Sequence, residues 1–230
     1  RAAPPRVHTH VVRGVEAERE TASSVVQLMR RHPNVHQHSS KTTLNAVKVP
    51  LSAVIPAHKA FDEPTADGPI SQIIQAAVDT GIALGALEDT KRFARESRPW
   101  IDSGQDHGWQ DPFSIAAIGD LEWRVHGTEA ILRKAGQAID AALVDANEDT
   151  VAHASVVVAQ AKVLSAEIAL LASSKLFELA GTRSVLGKYN LDRHWRNART
   201  HTLHDPARWK FHLIGNHLLN GVNPARHAWN

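Results

Sequence analysis

The chain of 230 residues has no cysteine, one methionine and one tyrosine, and aromatic residues make up 5% of it. The absence of cysteine excludes disulfides, thiolate catalysis and zinc–sulfur sites. Hydrophobic residues nevertheless reach 43%, mostly as alanine, leucine, isoleucine and valine. This composition favours helices over a sandwich or barrel, and the length suffices for one large domain or two small ones.

The sequence also lacks a strong charge imbalance, with a net charge of +2 when histidine is neutral. No basic patch is interleaved with stacking aromatics, so we expect no nucleic-acid partner. We find no continuous apolar run of bilayer-spanning length and no signal-peptide pattern in the sequence, so we expect no membrane association and a cytoplasmic location. Histidine is frequent, with 15 residues, but the His8-Thr9-His10 segment has no nearby carboxylate, so no metal site is predicted.

Helical patterns fill the chain after residue 69. Apolar residues at helical spacing predict helices over residues 69–98, 113–146, 150–180 and 206–219. Asp111-Pro112 is a good helix start, and Gly181 a good helix end. The third helix is apolar nearly all round, Leu164 included, and we expect its neighbours to bury it. Short connections predict a mainly α fold, an antiparallel four-helix bundle.

The first 64 residues have a different character. Residues 42–49 alternate well enough for one strand, Pro50 closes it, and residues 51–56 should leave it as an extended segment. A single strand does not stand alone. We therefore expect residues 1–64 to be the remnant of a β-domain with a linker, and residues 65–230 to form the helical bundle domain.

The most unusual segment is residues 181–206, GTRSVLGKYNLDRHWRNARTHTLHDP. Its five lysine and arginine residues and three histidines are opposed by two aspartates. A connection this basic between packed helices suits a bound anion or an electron-rich cofactor. The alternative is a helix and loop whose charges form solvated ion pairs.

Four motifs together carry a resemblance to a known family: Arg98-Pro99-Trp100, Asp111-Pro112-Phe113, Gly181-Thr182-Arg183, and LDRHWRNARTHTLHDP at residues 191–206. With them, residues 42–224 resemble the acyl-CoA dehydrogenase fold. The similarity is greater to its flavin-dependent monooxygenase branch, which includes dibenzothiophene and dimethylsulfone-type monooxygenases.

The resemblance implies a function and partners. In that family a helical N-terminal domain, a β-barrel and a C-terminal bundle enclose reduced FMN, and this chain corresponds to the C-terminal part. It implies oxygenation of a small organosulfur compound through a flavin hydroperoxide, a separate flavin reductase that supplies reduced FMN, and a homo-oligomer arranged as a dimer of dimers.

The resemblance also implies site residues. Cofactor contacts would fall on Arg98, Thr182, Arg183 and His204, with Thr182 and Arg183 reaching a flavin held by a neighbouring subunit. Catalytic roles would fall on His204, His201 and Asp205.

Other roles for these residues follow from position alone. Arg98 and Arg183 suit the exposed carbonyls of helix C-termini. His201 suits a core histidine with a satisfied hydrogen bond. Asp205 suits the N-cap of the last helix, with Pro206 at its first position.

Two other functions remain open at this point. An acyl-CoA dehydrogenase would use FAD and a carboxylate base, and residues 181–206 contain no glutamate. A non-catalytic helical oligomerisation module would associate through the apolar helix at residues 150–180.

Overall fold

A computed structural model describes residues 11–12, 48, 50–56 and 59–230, and the chain forms two compact units, residues 1–63 and 64–230. In the first unit, β1 (Val11–Val12) pairs with β2 (Val54–Ile55) in antiparallel register, Val11 opposite Ile55. The predicted extended exit at residues 51–56 is therefore confirmed at Val54–Ile55, which form the strand, but it is wrong at Leu51–Ala53, which form a 3-10 turn. The strand predicted at residues 42–49, except Lys48, and the His8-Thr9-His10 segment lie outside the described residues.

The second unit is helical. Within the described residues there are five α-helices, which are α1 (Asp67–Glu96), α2 (Pro112–Val144), α3 (Glu148–Ala180), α4 (Asp192–His201) and α5 (Ala207–Asn220). Three long helices and a short terminal one were predicted, and the ends agree within a few residues. The additional helix α4 occupies part of the segment that was predicted mainly as a connection. Short 3-10 turns precede it at Thr182–Val185 and Gly187–Tyr189.

Local sequence signals define the helix ends. The Asp111 carboxylate accepts hydrogen bonds from the backbone N–H groups of Phe113 at 3.4 Å and Ser114 at 2.9 Å, and so caps α2 as predicted. The Asn147 side chain caps α3 by accepting from two backbone N–H groups at 3.0 Å. Gly181 ends α3 with a φ of 70°, a conformation that glycine adopts without strain.

The core is organised around α3, which packs against α1 most extensively and also against α2, α4 and α5. Alanines with no exposed surface, including Ala86 on α1 and Ala172 on α3, let the helix backbones approach closely. Larger side chains such as Leu87, Leu121 and Leu176 fill the space beside this seam. The predicted burial of α3 is thus confirmed in general, but Leu164 is 41% exposed and was assigned wrongly to the core.

Two helices are long and apolar enough by length and composition to cross a bilayer, namely α1 and α3. This finding differs from the expectation that no segment reaches that length. Most of the apolar window of α3 is buried inside the helical unit, and core helices commonly pass the same test.

Candidate functional site

Helix α4 presents a polar stripe to the core. Its buried residues are His194, Ala198 and His201, spaced at i, i+4 and i+7 and therefore on one face. Each histidine meets a carboxylate of α1: His194 lies beside Asp89, and His201 beside Asp79. Because the later residue of α4 meets the earlier residue of α1, the two helices run antiparallel, and α4 places the segment after His201 near the middle of the bundle.

The first of these contacts centres on Asp89. Its Oδ2 atom lies 2.6 Å from an Arg193 guanidinium nitrogen and 2.8 Å from His194 Nε2, while Arg92 donates to Oδ1 at 2.5 Å. Burial alone would raise the pKa of Asp89, but the hydrogen bonds from His194 and Arg193 outweigh burial and lower it. Burial, together with the nearby charge of Arg193, lowers the pKa of His194 more than Asp89 raises it. The pair is therefore built for a neutral imidazole and an ionised carboxylate.

The pH dependence of stability should report this pairing. The folded-state pKa of His194 lies below the unfolded value, so the unfolded chain binds the extra proton more readily and folding weakens as the pH falls through 6.5. We expect the melting temperature to fall between pH 7.5 and pH 5.5, and to fall less in the His194→Gln variant. Thermal unfolding followed by circular dichroism measures this. An equal fall in both proteins would contradict the assignment.

Glycine substitutions test how closely α4 packs on α1. A Cβ atom at Gly85 would lie 3.2 Å from Cε1 of His194, whereas a Cβ at Gly81 would meet nothing within 4 Å. Gly81→Ala should stabilise the protein by about 0.5–1 kcal/mol, because alanine costs less backbone entropy in a helix. Gly85→Ala should lose this gain, since the His194 ring must shift away from Asp89. Denaturant unfolding measures the free energy of unfolding of both variants. An equal gain in stability would show that α4 can move away from α1 without cost.

The second contact belongs to a buried ionic cluster, which we define as Asp79, Lys162, His201, Asp205 and Lys210. Asp79 is fully buried and accepts from Lys162 Nζ at 2.9 Å, while its other oxygen lies 2.6 Å from His201 Nδ1. The Asp205 carboxylate lies 4.0 Å from Lys162 Nζ and 3.6 Å from Lys210 Nζ. Lys210 also donates to the backbone oxygen of Trp229, and burial lowers the pKa of Lys210.

The connection between α4 and α5 carries the predicted catalytic residues. His204 is exposed over 40% of its side chain, and its Nδ1 lies 4.0 Å from Asp205, beyond hydrogen-bond distance. Asp205 was also expected to cap the last helix, and that expectation is wrong: α5 follows Pro206 without a side-chain cap, and neither Asp205 oxygen makes a hydrogen bond within the described chain. The carboxylate instead faces the two buried lysines. His201 is a core histidine bonded to Asp79.

The predicted cofactor residues Arg98, Thr182 and Arg183 lie at the other end of the bundle. Arg183 donates to Glu96 at 2.6 Å, rather than to helix carbonyls, and its guanidinium lies over the ring of Phe93. Thr182 and Arg98 are exposed. A cleft of about 560 Å³ opens at this end between the last turns of α1 and the first turns of α2.

The structure therefore separates the predicted site residues into two groups. One group, Arg98, Thr182 and Arg183, lies near Glu96 at the end of α1, and the other, His201, His204 and Asp205, lies near Asp79. Asp79 and Glu96 are seventeen residues apart on α1, or about 26 Å of helix. Sequence reasoning missed the two carboxylates that position α4. Asp79 stands alone in an apolar stretch of α1, and Asp89 lies in a charged run, residues 88–92, that resembles a solvated helix face. Among the described residues no group of three histidine, aspartate or glutamate side chains is arranged to hold a metal ion.

Comparison with known proteins defines the class. The bundle with its α4–α5 segment is an acyl-CoA dehydrogenase-type helical domain, since residues 73–209 match the family described as acyl-CoA dehydrogenase, C-terminal domain. The chain belongs to this family. The resemblance inferred from the motifs is thereby confirmed.

The names of individual relatives are more specific than the family description. A dibenzothiophene monooxygenase from Mycolicibacterium goodii is 35% identical over 177 residues, covering 75% of this chain and 43% of the relative. A probable FMNH2-dependent monooxygenase from Pseudomonas putida is 32% identical over 160 residues, 68% of this chain and 40% of the relative. The solved structure of a methanesulfinate monooxygenase from Pseudomonas fluorescens superimposes with a TM-score of 0.77 at 30% identity, covering 82% of this chain and 50% of that one. The chain thus spans half or less of the length of these relatives.

Proposed function

We propose that this chain is the C-terminal helical part of a two-component, flavin-dependent monooxygenase that oxygenates an organosulfur compound with reduced FMN. The observation that carries the proposal is that named monooxygenases match 68–82% of this chain, and that the family match at residues 73–209 includes both groups of predicted site residues. The substrate class follows from two of these relatives, whose names specify dibenzothiophene and methanesulfinate.

The exposed donors at the end of the bundle fit the phosphate of FMN. Arg98 is exposed and has no hydrogen bond or ion pair within the described part of the chain. Arg183 is 43% exposed in its side chain, and the Glu96 carboxylate raises its pKa, so it stays a full cation. Two guanidinium groups and the Thr182 hydroxyl form a donor set suited to a phosphate dianion.

His204 fits a place beside the flavin ring. Its imidazole is part-exposed, and neither ring nitrogen makes a hydrogen bond within the described chain, so both remain available to a ligand. Reduced FMN, when bound, supplies the electrons that activate dioxygen. We assign His204 the task of donating a hydrogen bond and moving a proton near the ring, since an imidazole has one nitrogen that can donate a proton and one that can accept it. His201 and Asp205 hold the segment that carries His204 from its core side and do not contact the ligand.

The separation of the two groups supports a homo-oligomeric site. A single FMN beside His204 would have to extend along most of the second half of α1 to reach Arg183. We propose that a second copy supplies this donor set, Thr182 and Arg183 together with Arg98, to the flavin that faces His204 of the first, in a dimer of dimers. A separate reductase would supply reduced FMN in the cytoplasm.

Anaerobic titration of the chain with reduced FMN tests the proposal, with mass determined by light scattering on the same sample. We expect binding, with an affinity that falls when dilution separates the copies. A folded, associated chain without affinity for reduced FMN would contradict flavin binding by this half and favour an oligomerisation module. Preference for FAD, with acyl-CoA as ligand, would instead identify an acyl-CoA dehydrogenase.

A further inference from the structure

The buried ionic cluster lies beneath the segment that carries His204. Its members come from α1, α3, α4, α5 and the connection between the last two, and the side chains of Asp79, Lys162, His201 and Lys210 are at most 5% exposed. The rest of the core is mainly alanine, valine and leucine. Burying such charges brings a desolvation penalty that apolar side chains of similar volume avoid. A role in stability alone therefore does not explain the cluster.

The cluster holds the connection at both of its ends. At the first end, Asp79 is bonded to the His201 ring. At the second end, Asp205 faces Lys162 and Lys210. His204 lies between these points, and its backbone N–H donates to the His201 carbonyl at 3.0 Å, which continues the turn that leaves α4.

The two ends are held in different ways. Asp79 makes directional hydrogen bonds to both of its partners, at 2.6 and 2.9 Å. Asp205 is held by charge alone, because both of its oxygens are buried and neither has a hydrogen-bond partner within the described residues. Lys162 serves both ends, since its ammonium group bonds Asp79 and faces Asp205. Removal of Lys162 would therefore loosen both ends at once.

We propose that Asp79 and Lys162 are positioning residues. They fix the position of His204 along the bundle and the orientation of its ring, and they act through His201 and Asp205. This inference rests on the proposed function, in which His204 faces the flavin. It also assigns a tautomer: Asp79 accepts from Nδ1–H of His201, so the neutral ring carries its proton on Nδ1. His201 is then an intermediary between Asp79 and the connection, not the group that meets the ligand.

The first test uses the unaltered chain. Two-dimensional ¹H–¹⁵N spectroscopy of the histidine rings distinguishes the two neutral tautomers directly. We expect the neutral His201 ring to be protonated at Nδ1 and unprotonated at Nε2. The opposite tautomer would overturn the proposal, because Asp79 could not then hold the ring through Nδ1–H.

The second test uses a matched pair of substitutions. An asparagine amide can occupy the place of Nδ1 and a glutamine amide that of Nε2, so His201→Asn keeps the donor to Asp79 and His201→Gln does not. Hydrogen exchange followed by mass spectrometry reports on residues 199–208. We expect exchange there to rise about tenfold in His201→Gln and Lys162→Met, and by no more than about threefold in His201→Asn.

The control is Ile139→Ala, which creates a cavity in the core cluster between α2 and α3 and lies outside the ionic cluster. If Lys162→Met raises exchange at residues 199–208 no more than this control does, the cluster is merely structural and the proposal fails. Affinity for reduced FMN should fall about tenfold in Lys162→Met and stay unchanged in the control. If the unaltered chain does not bind reduced FMN, the proposed function fails, while the exchange and tautomer results still decide the positioning role.

Discussion

Replacing Asp79 by alanine should lower the free energy of unfolding by about 3–5 kcal/mol, because it leaves a buried ammonium group without its partner. Asp79 has no exposed surface and is bonded to both Lys162 and His201. This loss is a large share of the roughly 5–15 kcal/mol that stabilises a typical domain. Urea unfolding measures it.

Two comparisons make the Asp79→Ala result interpretable. Asp140→Ala, at an exposed position of α2, should change stability by less than about 0.5 kcal/mol. The double variant Asp79→Ala with Lys162→Met should recover part of the loss, because it removes the unpaired charge as well. A loss below about 1 kcal/mol for Asp79→Ala alone would mean that Lys162 turns to Asp205, which lies 4.0 Å away.

Replacing Arg183 by alanine should raise the dissociation constant for reduced FMN about ten- to a hundredfold, because it removes charge-assisted hydrogen bonds to phosphate. Helix content should stay unchanged, because Arg183 follows the end of α3 and is exposed. Anaerobic fluorescence titration measures the affinity.

Glu96→Gln is the matched control for Arg183→Ala. The Glu96 carboxylate lies 2.6 Å from the Arg183 guanidinium and competes with phosphate for it. Removing its charge should leave the affinity for reduced FMN unchanged or raise it. An Arg183→Ala protein with the affinity of the unaltered chain would remove Arg183 from the site.

The long helices of this fold could be predicted from sequence because they carry conventional signals. Asp111-Pro112 and Gly181 define helix ends through a side-chain cap and a positive φ, and α3 is apolar on nearly every face. Helix α4 could not be predicted in the same way. Its buried stripe is His194, Ala198 and His201, so a search for hydrophobic periodicity finds only one small apolar residue.

The same contrast between local sequence signals and contacts distant in sequence applies to the candidate site. Family motifs supplied the candidate site residues but not their positions in the fold, since Arg98 lies at the end of α1 and His204 near the middle of the bundle. The partners Asp79 and Lys162 are eighty-three positions apart in sequence, and no local pattern links them. For Asp205, Pro206 at the next position suggested a helix cap, but the attraction of two buried ammonium groups draws the carboxylate into the core.

The paired histidine contacts of α4 have a consequence for length variation in this family of chains. His194 and His201 are separated by about 10.5 Å of helix, whereas Asp89 and Asp79 are separated by about 15 Å. The histidine and aspartate side chains bridge the difference between these two spacings. An inserted or deleted residue between the two histidines would rotate one of them by about 100° away from its carboxylate. Length changes should therefore be accepted in the 3-10 turns before α4, and rejected between His194 and His201.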